Sequence, residues 1–290
     1  MWGRASDDTI PIFMRDRPPL SERLWAKRWW FLSTAVTLAC SALAVGMFAL
    51  RMSRSGHPVG LPVDELASMW DNSTSWNVTN YIYGSEYCSY SDGSLLVRYP
   101  QGSYQNTGGF KFYSQPPGFP AREACFSYEV YFPGGFPWTK GGKLPGMYIG
   151  DWGANGGNHI DSGYSARFMW RAGGAAEVYL YVPTGQLPEY YSSVTSNLDY
   201  GESLWRGRLV LAEGSWNSMR MCIGLNSPGA HDGTLSATIN NVTLVYNSMQ
   251  WTPGPMPISG LMMNTFFGGN DPSWAAPEDT YARFRAFSAP

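Results

Sequence analysis

Tyr164-Ser165-Ala166-Arg167-Phe168-Met169-Trp170-Arg171 alternates between two chemistries. With a period of two, Ala166, Phe168 and Trp170 fall on one face, and Ser165, Arg167, Met169 and Arg171 fall on the other. A strand of this kind buries its apolar face and presents two guanidiniums and a hydroxyl on the opposite one. Just beyond, Glu177-Val178-Tyr179-Leu180-Tyr181-Val182 repeats the scheme, with Val178, Leu180 and Val182 inward and Glu177, Tyr179 and Tyr181 outward. The intervening Ala172-Gly173-Gly174-Ala175 is a turn signal, so the two segments predict a hairpin. Two registers are open, with Arg167 opposite Tyr179 or opposite Tyr181. Either one puts Arg167 and both tyrosines on one outer face as direct or diagonal neighbours.

The same alternation recurs outward from this hairpin, in Leu95–Tyr99, Cys125–Phe132, Met219–Leu225 and Thr234–Ile239, between clusters of turn residues. Strands of five to eight residues at such intervals predict an all-β fold, a two-sheet sandwich of the jelly-roll kind. Composition agrees, with 33 Gly, 13 Trp, 18 Tyr and 14 Phe in 290 residues, which excludes disorder, coiled coil and helical repeats. After Leu50 no segment keeps helical spacing over three turns; Asp64–Trp70 comes nearest and is short. In that part 14 Lys and Arg face 18 Asp and Glu, a formal charge of −4, which argues against nucleic acid as a partner.

Residues 29–50, from Trp29 to Leu50, are 22 uncharged positions, enough to cross a bilayer core as a helix. Arg4, Arg15, Arg17, Arg23, Lys27 and Arg28 precede this run, against Arg51 and Arg54 just after it. The positive-inside bias then keeps residues 1–28 cytoplasmic and exports the rest, giving a single-pass type II membrane protein with its large domain extracellular or lumenal. Cleavage near Ala44 would make it secreted instead; the long tail and long apolar run favour the uncleaved anchor. Residues 51–80 read as a stem and 81–290 as the β domain, expected to act as a monomer. Three sequons, at Asn72, Asn77 and Asn241, suit a glycosylating secretory route. Outside the apolar run, Cys88, Cys125 and Cys222 allow one disulfide and leave one thiol, with the pairing open. With three His in the chain and no metal-ligand spacing, no metal site is expected.

A third element, Lys140-Gly141-Gly142-Lys143-Leu144-Pro145-Gly146, reads as a rigid turn that aims Lys143 at a fixed point. It does not match a phosphate loop, whose spacing and following helix are missing. Together with Ser165-Ala166-Arg167-Phe168-Met169-Trp170-Arg171 and Tyr179-Leu180-Tyr181, it resembles polysaccharide lyase family 14, the alginate and glucuronan lyases. The resemblance runs from about residue 85 to the C-terminus. It extends through Leu225-Asn226-Ser227-Pro228-Gly229, Asp232-Gly233, Thr265-Phe266-Phe267-Gly268-Gly269 and Asp271-Pro272-Ser273-Trp274. Met147, where an aliphatic residue is common, and the membrane anchor depart from the pattern.

The resemblance implies a β-jelly roll with an open cleft that breaks chains of uronic acids by β-elimination, without a cofactor. Its active-site set falls on Lys143, Ser165, Arg167, Tyr179 and Tyr181. Arg167 and Lys143 would neutralise the sugar carboxylate, Tyr179 and Tyr181 would supply base and acid, and Ser165 would orient the sugar or Lys143. Lys143 is an alternative base if Arg167 depresses its pKa. Cationic neighbours are expected to lower the phenol pKa values toward a proton-shuttling range. Lys140 and Arg171 would add to a basic substrate-binding floor, extended by Arg206 and Arg208 unless those are merely solvated, and Glu177 would pair with Arg171. The rivals are a sandwich-fold glycoside hydrolase, which needs two facing carboxylates from among Glu177, Asp161 and Glu189, and a non-catalytic lectin for acidic glycans. His159 is a loop histidine outside the expected set.

Overall fold

Burial alternates with period two along Glu123–Tyr131 and Gly233–Ile239. In the computed structural model, which describes residues 59–60, 75–197 and 199–290, the two outer-facing segments read above pair as a hairpin, and every other strand continues one of two sheets. The back sheet runs in the order β14 (Val242–Met249), β13 (Gly233–Ile239), β12 (Trp216–Gly224), β6 (Glu123–Tyr131), β16 (Thr280–Ala289), β4 (Ser94–Tyr99) and β3 (Cys88–Ser91), with β1 (Val59–Gly60) paired to the end of β16. The front sheet runs β10 (Val194–Thr195), β11 (Glu202–Val210), β9 (Ala175–Tyr181), β8 (Gly163–Trp170), β7 (Gly142–Gly150), β15 (Ile258–Phe267), β5 (Phe110–Ser114) and β2 (Val78–Tyr83). Each described pairing is antiparallel, and the two sheets form the expected jelly-roll-like sandwich. One six-residue helix, Pro188–Ser193, lies between β9 and β10.

The inner faces close the core. Ala166, Phe168, Trp170, Val178 and Leu180 of the front sheet meet Phe126, Tyr128, Val130, Met219, Met221 and Ile223 of the back sheet in one buried cluster. Trp170 packs edge-on to Phe136 and Phe267 at ring separations of 5.8 and 5.4 Å, an arrangement that favours aromatic pairs beyond their buried area. The front sheet's other face is thereby left for polar side chains.

The sandwich starts earlier than the boundary expected at residue 81. Val59 and Gly60 pair with Ala289 and Ser288, β2 begins at Val78, and Trp76 is fully buried in the core. Sequence reading missed this because two paired residues and one tryptophan carry no periodicity. The described residues all belong to one compact unit within Met52–Pro290. Residues 1–28, expected to be cytoplasmic, the apolar run at 29–50, the 64–70 segment and Asn72 lie outside the described residues. Among those described, no helix is long and apolar enough to cross a membrane.

Cys125 and Cys222 face each other across β6 and β12 and form the one disulfide among the described residues. Cys88 remains a free thiol, and burial pushes its pKa up to about 12. Asn77 is exposed, with its amide donating to the Gln115 carbonyl at 2.9 Å, and Asn241 is exposed in the tight turn joining β13 to β14.

Candidate active site

Strand register assembles the site. Arg167 pairs with Tyr179 and Ser165 with Tyr181, which selects one of the two registers left open by the sequence. Outward from Arg167 the same row continues through Gly146 of β7 and Met262 of β15 to Tyr113 of β5. The next row joins Glu177, Met169 and Lys143. Lys143, Arg167, Tyr179 and Tyr181 thus share the face turned away from the core.

Lys143 does not sit on a turn, as its glycines suggested. It lies inside β7, beside a register shift in which Leu144 and Pro145 add one residue to the strand between Lys143 and Gly146. Such a bulge is where a strand accepts proline and re-aims a side chain. The Lys143 ammonium stands 3.3 Å from the centre of the Tyr179 ring and 2.8 Å from the Met169 sulfur. Burial first, then the charges of Arg167 and Arg171, pull its pKa well below the usual lysine range. Gly146 allows the close approach of β8, since a Cβ there would lie 2.1 Å from the Ala166 carbonyl and 2.4 Å from the Arg167 Cα.

Arg167 is 1% exposed, with Nη1 3.5 Å from the Met262 sulfur and Nε without a hydrogen-bond partner. A buried guanidinium with free donors and no carboxylate is a ready anion receptor.

Tyr179 departs from expectation in its acidity. Burial, aided by the neighbouring Tyr181, pushes the Tyr179 phenol up to about 12 against the opposing Gly201 N–H and Arg167. Desolvation outweighs the cations because the ring is 7% exposed. The Tyr179 oxygen accepts from Gly201 N–H at 2.9 Å, and the Tyr181 oxygen from Gly157 N–H at 2.8 Å.

Ser165 does not reach Lys143. Its hydroxyl donates to the Ala154 carbonyl at 2.6 Å. With Tyr181 it pins the loop between β7 and β8, a wall of the site that also brings the His159 ring to 5.1 Å from Tyr181. Tyr181 and His159 border a cavity of about 230 Å³ with Asp161, Tyr164 and Thr184.

At the opposite ends of the strands, Lys140 and Arg171 flank Trp274 at 5.8 and 6.0 Å. Glu177, fully buried, holds Arg171 at 2.6 Å and Arg206 at 2.8 Å and accepts from Ser203 at 2.8 Å. Burial alone would raise its pKa, but the Arg171 hydrogen bond and charge, with Arg206, hold the carboxyl below its usual range. Glu177 therefore pairs with two arginines rather than the one expected. Fixed as their counter-ion, it is not free to serve as a glycosidase acid, which removes one of the three carboxylates the hydrolase reading could draw on. Arg208 is exposed on β11.

Two residues of this face escaped sequence reading. Lys111 of β5 donates to Asn155 Oδ1 at 2.7 Å, and burial, reinforced by Arg167, lowers its pKa to about 8. Asn264 of β15 pairs in register with Lys111 and is fully buried. Lys111 lies in Phe110-Lys111-Phe112, whose alternation was a usable signal.

A family model described as Polysaccharide lyase 14 matches residues 89–287. Exolysin of Paramecium bursaria Chlorella virus 1 is 22% identical over 194 residues, which cover 58% of this chain and 30% of that protein, so the chain spans less than a third of that relative. Among solved structures, the marine PL-14 alginate lyase from Aplysia kurodai superposes with a TM-score of 0.69 at 29% identity, over 76% of this chain and 93% of that one. The alginate lyase vAL-1 from Chlorella virus does so with a TM-score of 0.67 at 26% identity, over 80% and 98%. The match covers most of the described sandwich, and the chain belongs to the polysaccharide lyase 14 family.

Proposed function

We propose that this chain is a polyuronate lyase that cleaves an acidic polysaccharide by β-elimination. The observation that carries this is the Lys143, Arg167 and Tyr179 cluster on one buried face, two cations without an ion-pair partner among the described residues beside a phenol kept protonated. In a uronate, the proton on carbon five is α to the carboxylate, and its removal puts more negative charge on that group. Arg167 is placed to bind the carboxylate and stabilise the enolate-like state, which preorganised charge does well in a dry site. Lys143, held well below the usual lysine range, takes the proton as a neutral amine. The electrons of that C–H bond become the double bond between carbons four and five, and the bond from carbon four to the glycosidic oxygen breaks. Tyr179, protonated up to about 12, gives that oxygen its proton. Tyr181 and Ser165 hold the loop wall and so the sugar's position. No water is consumed.

Alginate is the first substrate to try, because both solved relatives above are alginate lyases; glucuronan is the second. The test is the full chain incubated with each polymer, read by the ultraviolet absorbance of the conjugated product. New reducing ends without that absorbance would mean hydrolysis, and binding without shortening would mean a lectin. We place the catalytic domain outside the cytoplasm on a type II anchor at residues 29–50. The Cys125–Cys222 bridge and the exposed Asn77 and Asn241 sequons support an oxidising, glycosylating route. A mass shift on enzymatic deglycosylation checks it.

A further inference from the structure

Lys143 has a carboxylate within its own row and does not pair with it. Glu177, Met169 and Lys143 stand side by side across β9, β8 and β7, so the backbones of Glu177 and Lys143 lie two strand spacings, about 10 Å, apart. Both side chains are buried, and the Lys143 ammonium already reaches the Met169 sulfur between them at 2.8 Å. Buried charges are normally paired. Here the carboxylate is filled from the other side. Arg171 Nη2 and the Ser203 hydroxyl donate to one oxygen at 2.6 and 2.8 Å, and Arg206 Nε donates to the other at 2.8 Å. Arg206 Nη2 also donates to Ser203 at 2.6 Å, which closes the ring of contacts.

The fold does not ask for the second arginine. One neutralises Glu177; two leave the cluster with a surplus positive charge, and surplus charge away from water costs stability. The chain also bends where it supplies that arginine. β11 loses its register with β9 between Leu204 and Leu209, and within that break Trp205 and Gly207 take φ of 60° and 75°. The left-handed region is costly for a bulky residue, and strain of this kind collects at functional sites. Arg206 sits between the two, exposed over 41% of its side chain, and its guanidinium reaches back onto the fully buried Glu177.

We propose that Glu177 is a positioning residue for Lys143, its carboxylate held away by Arg171 and Arg206 so that the lysine keeps no counter-ion and meets a net positive cluster instead. This rests on the reading of Lys143 as the amine that takes the proton. The other groups facing Lys143 are Arg167 of β8 and Tyr179 of β9, while Lys140 is turned to Ser273. β15 adds no charge, only the buried Asn264, whose amide has no hydrogen-bond partner among the described residues. Burial first, then Arg167, Arg171 and, more weakly, Arg206 pull the Lys143 pKa down, and Glu177 is the group that pulls it up. Freed from its arginines, the carboxylate would hold Lys143 as an ammonium, which cannot accept a proton.

The test reads opposite signs in the rising limb of kcat/KM against pH, taken with the full chain and alginate. Arg206→Gln should move that limb to higher pH by about half a pH unit, its charge being partly screened by solvent. Arg206→Lys should stay near wild type. Glu177→Gln should move the limb to lower pH by about one pH unit, the worth of a charge near 10 Å in a dry site. The double Glu177→Gln, Arg206→Gln protein should return toward wild type. Residues that only support the fold would lower the rate and leave the limb in place. No movement in Arg206→Gln, or movement of both single variants in one direction, overturns the proposal. Should Glu177→Gln fail to fold, Arg206→Gln against Arg206→Lys decides alone. Acylation of Lys143 by acetic anhydride across pH, read by peptide mass, follows the same amine without turnover. If wild type gives no unsaturated product and the acylation midpoint still moves with these signs, the lyase reading falls and the role of Glu177 stands. If product forms and neither profile moves, the role of Glu177 falls and the lyase reading stands.

Discussion

Lys143 is worth more as an amine than as a charge. An ammonium stripped of water by burial and set beside Arg167 is easier to deprotonate than a solvated one. Lys143→Arg separates the two roles, because arginine keeps the charge and cannot release a proton. If Lys143 is the base, this variant should lose roughly two to four orders of magnitude in kcat. A rate near wild type would leave Lys143 as an electrostatic clamp. In wild type, activity should climb with pH as Lys143 loses its proton, well below the usual lysine range. Tyr179, pushed up to about 12, should add no falling limb at ordinary pH. Tyr179→Phe should cut kcat by about two to four orders of magnitude and leave that rising limb in place.

Lys111 makes the same physics visible in stability. Its folded pKa of about 8 lies below the ordinary lysine value, so between the two the unfolded chain binds more protons than the folded one. Stability then rises as pH increases from about 8 toward the usual amine range, and the deficit is complete below that window. Lys111→Gln should flatten this rise in urea melts at stepped pH, provided the other titrating groups behave alike in both proteins.

At the scale of the element, the β7 bulge sets the geometry. Gly146 brings β8 close enough for Arg167 and Lys143 to share one patch. Gly146→Ala puts a Cβ into the Ala166 carbonyl and the Arg167 backbone, so the β7–β8 pair must open. The expected result is a loss of about 1–3 kcal/mol in stability and a fall in kcat larger than the global destabilisation explains. Glu177→Gln should cost about 3 kcal/mol, since two arginines lose the carboxylate that neutralises them. Near-wild-type denaturation midpoints in either variant would contradict these contacts.

These elements also mark what the sequence could carry. Alternation in 164–171 and 177–182 located the hairpin, its inward face and the shared outer face of Arg167 and the tyrosines, because a strand's period is a local property. The bulge at Leu144-Pro145 was hidden, since a glycine-rich string reads equally as a turn until a partner strand fixes its register. Asn264 was hidden for a related reason. An asparagine announces nothing until neighbours from β5 and β7 fail to satisfy its amide. The acidity of Tyr179 was misread because cations are countable in a sequence and desolvation is not.

On the scale of the molecule, the two sheets divide labour. The front sheet carries the cleft, with its buried cations and unsatisfied amide, while the back sheet carries the Cys125–Cys222 bridge between β6 and β12. That bridge closes a segment with a sequence separation of 97, so a chain-entropy account gives it about 3–5 kcal/mol through the unfolded state. The segment it closes includes β7, β8 and β9, and with them every residue of the expected catalytic set. Its stabilisation should nevertheless be felt by the whole sandwich rather than by the cleft, because both cysteines lie on the sheet opposite the site. A Cys125→Ser, Cys222→Ser double variant should therefore melt roughly 10 °C lower. At a temperature well below its melting point, it should keep the kcat and KM of wild type. If turnover fell while the melting temperature held, the bridge would be tuning the cleft across the core, and the separation of a supporting sheet from a working one would be wrong.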